Sequence, residues 1–198
     1  IQGDLTVEEE VRFMVERAAA QLGNLSFVIN LASGFPRTPV ESLDGAAWDA
    51  SMGDAKGNYL LAIHASRVMK SNPTPIRGHI VLFSDAWVGE TPYWNHVPYL
   101  TSKAATDFLV RVFAVELAPE SILVNGIAPG PTMRPPNMSE DVWTKQILTR
   151  TPLNRESSAD DIAEIIVALL RNTSITGETI RVDAGVHLTG PGPKHTNG

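Results

Sequence analysis

His79-Ile80-Val81-Leu82-Phe83-Ser84 is an apolar run; an amphipathic stretch from His96 to Leu117 follows, then a second apolar run, Ser121-Ile122-Leu123-Val124-Asn125-Gly126. Short continuous apolar runs read as strands buried on both faces. The stretch between them has helical length and stops at Pro119, which cannot continue a helix. Two buried strands joined by a helix predict a parallel pair with a right-handed crossover. This unit sets the class as α/β.

The same alternation extends in both directions. Upstream, Leu25-Ser26-Phe27-Val28-Ile29-Asn30 reads as a strand, and a helix is expected from about Asp44 to Met69, with Leu60, Leu61 and Ile63 in its apolar part. Asn72-Pro73-Thr74-Pro75 stops it. Earlier still, Thr6-x-x-Glu9 has the form of a capping box. Val7, Val11, Met14, Ala18 and Leu22 would share one face of that helix, and Gly23 suits the position just past its end. Downstream, Ala128 to Pro136 reads as a loop, with a short helix near Trp143. Ser158 caps a last helix whose stripe is Ile162, Ile165, Ile166, Leu169 and Leu170. Thr179-Ile180-Arg181-Val182-Asp183 is the final strand. The expected organisation is one domain over 1–189 and a disordered tail over 190–198, where Gly, Pro and polar residues prevail.

Composition narrows the function. Of 198 residues, 43% are hydrophobic and 19% charged, as in ordinary globular chains. There are no cysteines, which excludes disulfides, thiolate metal sites and a cysteine nucleophile. The net charge of −6 argues against nucleic acid as a partner. No apolar run approaches the ~18 residues of a membrane helix. Ile1-Gln2-Gly3-Asp4 has neither the basic nor the apolar part of a leader, so a soluble, cytoplasmic protein is expected. No His, Asp and Glu pattern points to a metal.

In parallel sheets the ligand crevice lies beyond the C-terminal strand ends. The segments to search are 30–39, 84–93 and 129–136. Tyr99-x-x-x-Lys103 follows the second of these, and the spacing puts both side chains on one helical face. An ammonium beside a phenol favours phenolate, lowers its pKa and makes Tyr99 a candidate proton donor or acceptor. Alone, the pair is a weak signal and reads more simply as two helical neighbours.

Together these segments resemble the short-chain dehydrogenase/reductase family. Asp4 follows a strand-like start. Asn30-Leu31-Ala32-Ser33 stands where the family has Asn-Asn-Ala-Gly. Ser84-Asp85 ends a strand fourteen to fifteen residues before Tyr99. Tyr99-Leu100-Thr101-Ser102-Lys103-Ala104-Ala105 is similar to the family's active-site helix. Val124-Asn125-Gly126-Ile127-Ala128-Pro129-Gly130-Pro131 is similar to its cofactor-side loop. Ile175-Thr176-Gly177 and Val182-Asp183-Ala184-Gly185 are similar to its C-terminal end. The implied fold is a Rossmann-like, doubly wound parallel sheet between two helical layers, lacking the family's first two strands.

Within the family the closest resemblance is to pteridine reductases. Asn30-Leu31-Ala32-Ser33-Gly34-Phe35-Pro36-Arg37-Thr38-Pro39 is similar to their Asn-Asn-Ala-Ser-Ser-Phe-x-x-Thr-Pro run. Asp85 stands where most of the family has serine and these enzymes have Asp. The resemblance implies NADP(H)-dependent reduction of a pterin or dihydropterin, with NAD(H) not excluded. Asp85 and Tyr99 would hold the pterin and supply its proton. Lys103 would bind the nicotinamide ribose, Phe35 would stack on the pterin, and Trp143 would contact it. Asp4, Asn30, Ala32, Ser33, Pro129, Gly130 and Thr132, with Tyr99 and Lys103, would line the cofactor. Each has a plainer reading: Asp85 as a turn cap, Phe35 as a lid over the core, Trp143 as a loop anchor. Trp87, Tyr93 and Trp94 could wall the substrate or serve packing. His64 reads as a packing residue, and His96 could face the cleft.

The sequence also departs from the family. It contains no Thr-Gly-x-x-x-Gly-x-Gly turn for the pyrophosphate and no residues that choose NADP over NAD, so a fragment of a longer chain is expected. Without the first two strands, the strand at Leu25 would have an open apolar edge. Asp54 stands where the family has a catalytic Asn, placing a carboxylate beside Lys103. Other readings are a carbonyl reductase of the same family and a non-catalytic binding or oligomerisation module. The helices Asp44–Met69 and His96–Leu117 would pair between subunits of a homodimer or homotetramer, with Leu109, Val112 and Phe113 compatible.

Overall fold

The computed structural model describes residues 1–90, 92–136 and 138–190. Its sheet has four parallel strands in the order β1 (Phe27–Asn30), β2 (Gly78–Phe83), β3 (Ile122–Pro129) and β4 (Thr179–Val182). The helices are α1 (Glu8–Leu22), α2 (Gly45–Met69), α3 (Val97–Leu117), the single turn α4 (Glu140–Val142) and α5 (Ala159–Arg171).

Strand alternation divides the core in two. Ile80 and Leu82 of β2 point to one face, with Val11, Val15, Leu60, Ala62, Val110 and Ala114 from α1, α2 and α3. Val81 points to the other, with Ile127 of β3 and Ile162, Ile166 and Leu169 from α5. Helices therefore cover both faces, as the doubly wound reading requires. β3 runs to Pro129, three residues past the expected end, because Gly126 to Pro129 pair with β4. β1 is an edge, and Phe27 on it is 51% exposed.

Capping follows the sequence at α5 and departs from it at α1. Ser158 and Asp161 form a reciprocal capping box, each side chain accepting from the other's backbone N–H. At α1 the Thr6–Glu9 box does not form. Val7 is the N-cap, without a side-chain cap. The Asp4 carboxylate instead takes both the amide and the hydroxyl of Thr6 at 2.8 Å, while Glu9 pairs with Arg12 at 2.5 Å. Glu10 accepts from the Asp4 amide. Residues 1–4 form no strand, contrary to the strand-like start expected there. Gly23 ends α1 at φ 82°, the left-handed value that favours glycine, whereas Leu22 is exposed. Past Trp143 the chain forms one wide turn (Trp143–Ile147) and one tight turn (Leu148–Arg150) in place of a regular short helix. Of the expected disordered tail, Gly190 is described, its carbonyl accepting from Arg150 at 3.0 Å, and 191–198 lie outside the described residues.

Candidate active site

The site forms where β1, β2 and β3 end. The loop after β2 rides on β3: Ser84 N donates to Ile127 O at 2.8 Å and Ala86 N to Pro129 O at 3.2 Å. Arg181 holds the loop from the other side through the Ala86 and Val88 carbonyls, both at 3.1 Å. Asp85 is thereby fixed between them, buried.

Its two oxygens do different work. Oδ1 accepts from Trp87 N at 2.9 Å, the turn role that Asp commonly takes. Oδ2 accepts from the hydroxyls of Tyr99 at 2.9 Å and Tyr93 at 3.0 Å. One oxygen thus caps the turn, as the plainer reading of Asp85 expects, and the other meets the Tyr99 hydroxyl. Tyr93 is the partner that spacing did not reveal, since a tyrosine in a loop between Pro92 and Trp94 carries no periodic signal.

Tyr99 lies in the first turn of α3 and Lys103 one turn later, on the same face. Lys103 is buried, its Nζ donating to Phe83 O at 3.0 Å and standing 5.7 Å from the Tyr99 ring centre. The expected lowering of the Tyr99 pKa is not found. Burial, then the Asp85 charge and hydrogen bond, push the phenol above its ordinary value. Tyr93 is raised by the same causes. Burial lowers Lys103, opposed by the charges of Asp54 and Asp85. The ammonium is turned to a carbonyl, and the phenol donates to a carboxylate, so Tyr99 holds its proton.

Phe35 leans over this group. Its ring is 4.9 Å from Tyr99 edge-on, 4.7 Å from His96 and 6.2 Å from Tyr93, yet it is 62% exposed. His96, just before α3, is buried beneath it. At the end of β1, Asn30 Nδ2 donates to Asn58 Oδ1 at 2.6 Å, and Asn58 donates to Thr106 Oγ1 at 3.1 Å. This buried chain ties β1, α2 and α3 together. Asn58 was visible in the sequence only as a polar residue in the apolar part of α2. Asn30 Oδ1 also accepts from Ala32 N, shaping the turn that presents Ser33. Asp54 accepts from Ser33 Oγ at 2.7 Å and Gly34 N at 3.1 Å.

The other cofactor-side residues are placed as follows. Pro129 and Gly130 leave β3 against β4, where a Cβ on Gly130 would stand 2.7 Å from the Asp183 Cα, so only glycine fits. Thr132 Oγ1 donates to Gly130 O. Asp4 is exposed in the turn before α1 and occupied by Thr6. Trp143 is buried with Nε1 donating to Glu156 at 2.8 Å, an anchoring contact, and no ring contact joins it to the Tyr99 group among the described residues. No group of three or more His, Asp or Glu residues able to hold a metal occurs among them.

The arrangement offers a protonated phenol on a carboxylate, a buried ammonium and an aromatic cover, at the mouth of a doubly wound sheet. The chain belongs to the short-chain dehydrogenase/reductase family and is an oxidoreductase of that family. The family sequence profile described as Enoyl-(Acyl carrier protein) reductase matches residues 1–187. Cis-4-hydroxycyclohexanecarboxylate dehydrogenase of Sinomonas cyclohexanicum is 31% identical over 93% of this chain and 75% of its own length. The 7alpha-hydroxysteroid dehydrogenase of Escherichia coli K12 is 28% identical over 92% and 71%. Among solved structures, FolM alternative dihydrofolate reductase 1 from Brucella canis, complexed with NADP, superposes with a TM-score of 0.84 at 31% identity, over 99% of this chain and 76% of that one. The chain thus spans about three-quarters of the length of these relatives.

The residues fit the nicotinamide end of an NAD(P)(H) cofactor, which the family uses. A lysine ammonium has three donors, and the Phe83 carbonyl takes one from Lys103.

Proposed function

We propose that the protein is an NADPH-dependent reductase of a pterin- or dihydropterin-like C=N bond. The observation that carries this reading is the Asp85 carboxylate at the end of β2, shared by Tyr99 and Tyr93 beneath Phe35. A carboxylate accepts from ring N–H and amino groups in a way that the serine common in the family cannot. The FolM structure adds support, being that of an alternative dihydrofolate reductase complexed with NADP.

The roles in this proposal are as follows. Tyr99, protonated and hydrogen-bonded to Asp85, gives its proton to the ring nitrogen. Its raised pKa suits donation, and hence reduction. Lys103 holds the nicotinamide ribose with its remaining donors and offsets the charge left on Tyr99. Asn30, Ala32, Ser33, Pro129, Gly130 and Thr132 line the cofactor, and Asp54 fixes the Ser33 loop. Phe35 covers the flat substrate, as aromatic faces favour. When bound, the cofactor supplies the hydride. Residues 1–189 act as one domain in a cytoplasmic homodimer or homotetramer.

The second reading is a carbonyl reductase, favoured by the names of relatives such as the granaticin polyketide synthase putative ketoacyl reductase 2 of Streptomyces violaceoruber. A binding module without catalysis is the third. The test is NADPH consumption with dihydropterins and with a panel of ketones, for the protein and for Tyr99→Phe. Dihydropterin turnover that falls about 100- to 10,000-fold in the variant supports the proposal. Turnover that survives the change contradicts the proton role.

A further inference from the structure

His96 is buried in the aromatic cluster, and neither a helix cap nor the Asp85–Tyr99 pair uses its side chain. Its Nδ1 lies 2.6 Å from the Trp94 carbonyl oxygen. A carbonyl only accepts, so Nδ1 carries the proton. Burial, the largest influence, holds the imidazole below its ordinary value, against the pull of the Trp94 carbonyl. The ring is therefore neutral at physiological pH, and Nε2 is a bare lone pair.

That lone pair is shielded from solvent and has no hydrogen-bond partner among the described residues. A buried acceptor without a donor is costly and calls for an explanation. Its neighbours are the residues of the proposed substrate site: Phe35 at 4.7 Å, Tyr93 at 4.8 Å and Tyr99 at 6.1 Å between ring centres. The other acceptors there already have donors, although the Asp85 Oδ1 keeps a lone pair for a substrate N–H. Asp85 receives Trp87 N, Tyr93 and Tyr99, and the Trp94 carbonyl receives His96 itself. Phe35, mostly exposed, covers the His96 ring.

We infer that His96 Nε2 is a substrate-recognition acceptor, taking a hydrogen bond from an N–H or O–H group of the substrate beside the atom that Tyr99 protonates. The inference rests on the reading of the Tyr99 cluster as the substrate site and deepens it. The preferred substrate carries a donor on the edge facing α3, as a polar heterocycle does and a plain ketone does not. A site built to accept from a donor discriminates strongly against the analogue that lacks it, because the acceptor is then left unpaired.

The experiment is calorimetric binding of matched ligand pairs to the full protein. One pair is a dihydropterin and its N-methylated analogue; the other is a hydroxyketone and its methyl ether. The wild type is expected to favour the donor-bearing member of at least one pair by about tenfold or more in Kd. His96→Leu removes that preference, and His96→Gln, whose amide oxygen accepts, retains part of it. Thermal melts check that each variant is folded. No preference in either pair, or a preference intact in His96→Leu, overturns the inference. A His96-dependent preference confined to the hydroxyketone pair keeps the inference and counts against the pterin reading, so the two fail separately.

Discussion

At the scale of single residues, Asp85 is the hub of the proposed site, because three donors meet its two oxygens. Two of these donors are phenols that burial and the carboxylate keep protonated. A raised pKa means the proton stays on until the pH is well above the ordinary tyrosine value of about 10. Spectrophotometric titration is therefore expected to show two late-ionising tyrosines, and Tyr93→Phe and Tyr99→Phe each to remove one. A single transition of all phenols near the ordinary value would contradict the geometry. The unfolded chain releases these protons first, so their contribution to stability is intact below about pH 10 and is lost as pH climbs above it. Urea midpoints on either side of that pH check the sign. The Tyr99/Lys103 pair and Asp85 were legible from spacing and motif. The direction of the Tyr99 shift was not, because it depends on where the ammonium turns and how deep the phenol sits. Tyr93 and His96 were legible as residues near the cleft, but the Tyr93–Asp85 bond and the unpartnered Nε2 of His96 were not, because tertiary folding of the loop, and no local pattern, brings them to the cluster.

At the scale of elements, the site is held by contacts that cross between them. Asn58 is the middle of the Asn30–Asn58–Thr106 chain, so Asn58→Leu leaves Asn30 and Thr106 short of partners inside the core. The expected loss is about 1–3 kcal/mol of unfolding free energy by urea titration; an unchanged midpoint would mean that the chain carries no weight. Gly130→Ala forces a methyl against the backbone at Asp183, just past β4, and its melting temperature should fall, whereas a variant as stable as the wild type would deny the close approach. Every strand and long helix was legible, since each carries its own apolar pattern. The ends were less so. Ser158 capped as expected because its box has no competitor, whereas Thr6 lost its role to Asp4 and Glu9 to Arg12. β3 gained its last residues from pairing with β4, which local sequence does not report.

At the scale of the whole molecule, sheet order and layering follow from the alternation of strands and helices, and β1 is the outer strand of the described sheet. Among the described residues, Phe27 on β1 and a band of apolar residues on α2 and α3, including Tyr59, Phe108, Val112 and Val115, are exposed. If α2 and α3 pair between subunits, Phe108→Glu lowers the mass seen by light scattering, and a wild type that is already monomeric would contradict the assembly. No helix among the described residues is long and apolar enough to cross a membrane. The central claim is that the Asp85 carboxylate, on the proton donor Tyr99, selects a C=N heterocycle over a ketone. Its most direct measurement is the ratio of kcat/KM for a dihydropterin to that for a ketone, with NADPH, in the wild type and in Asp85→Ser. The account predicts a wild-type ratio well above one that falls about 100-fold or more when serine replaces the carboxylate. A ratio that the substitution leaves unchanged would contradict it.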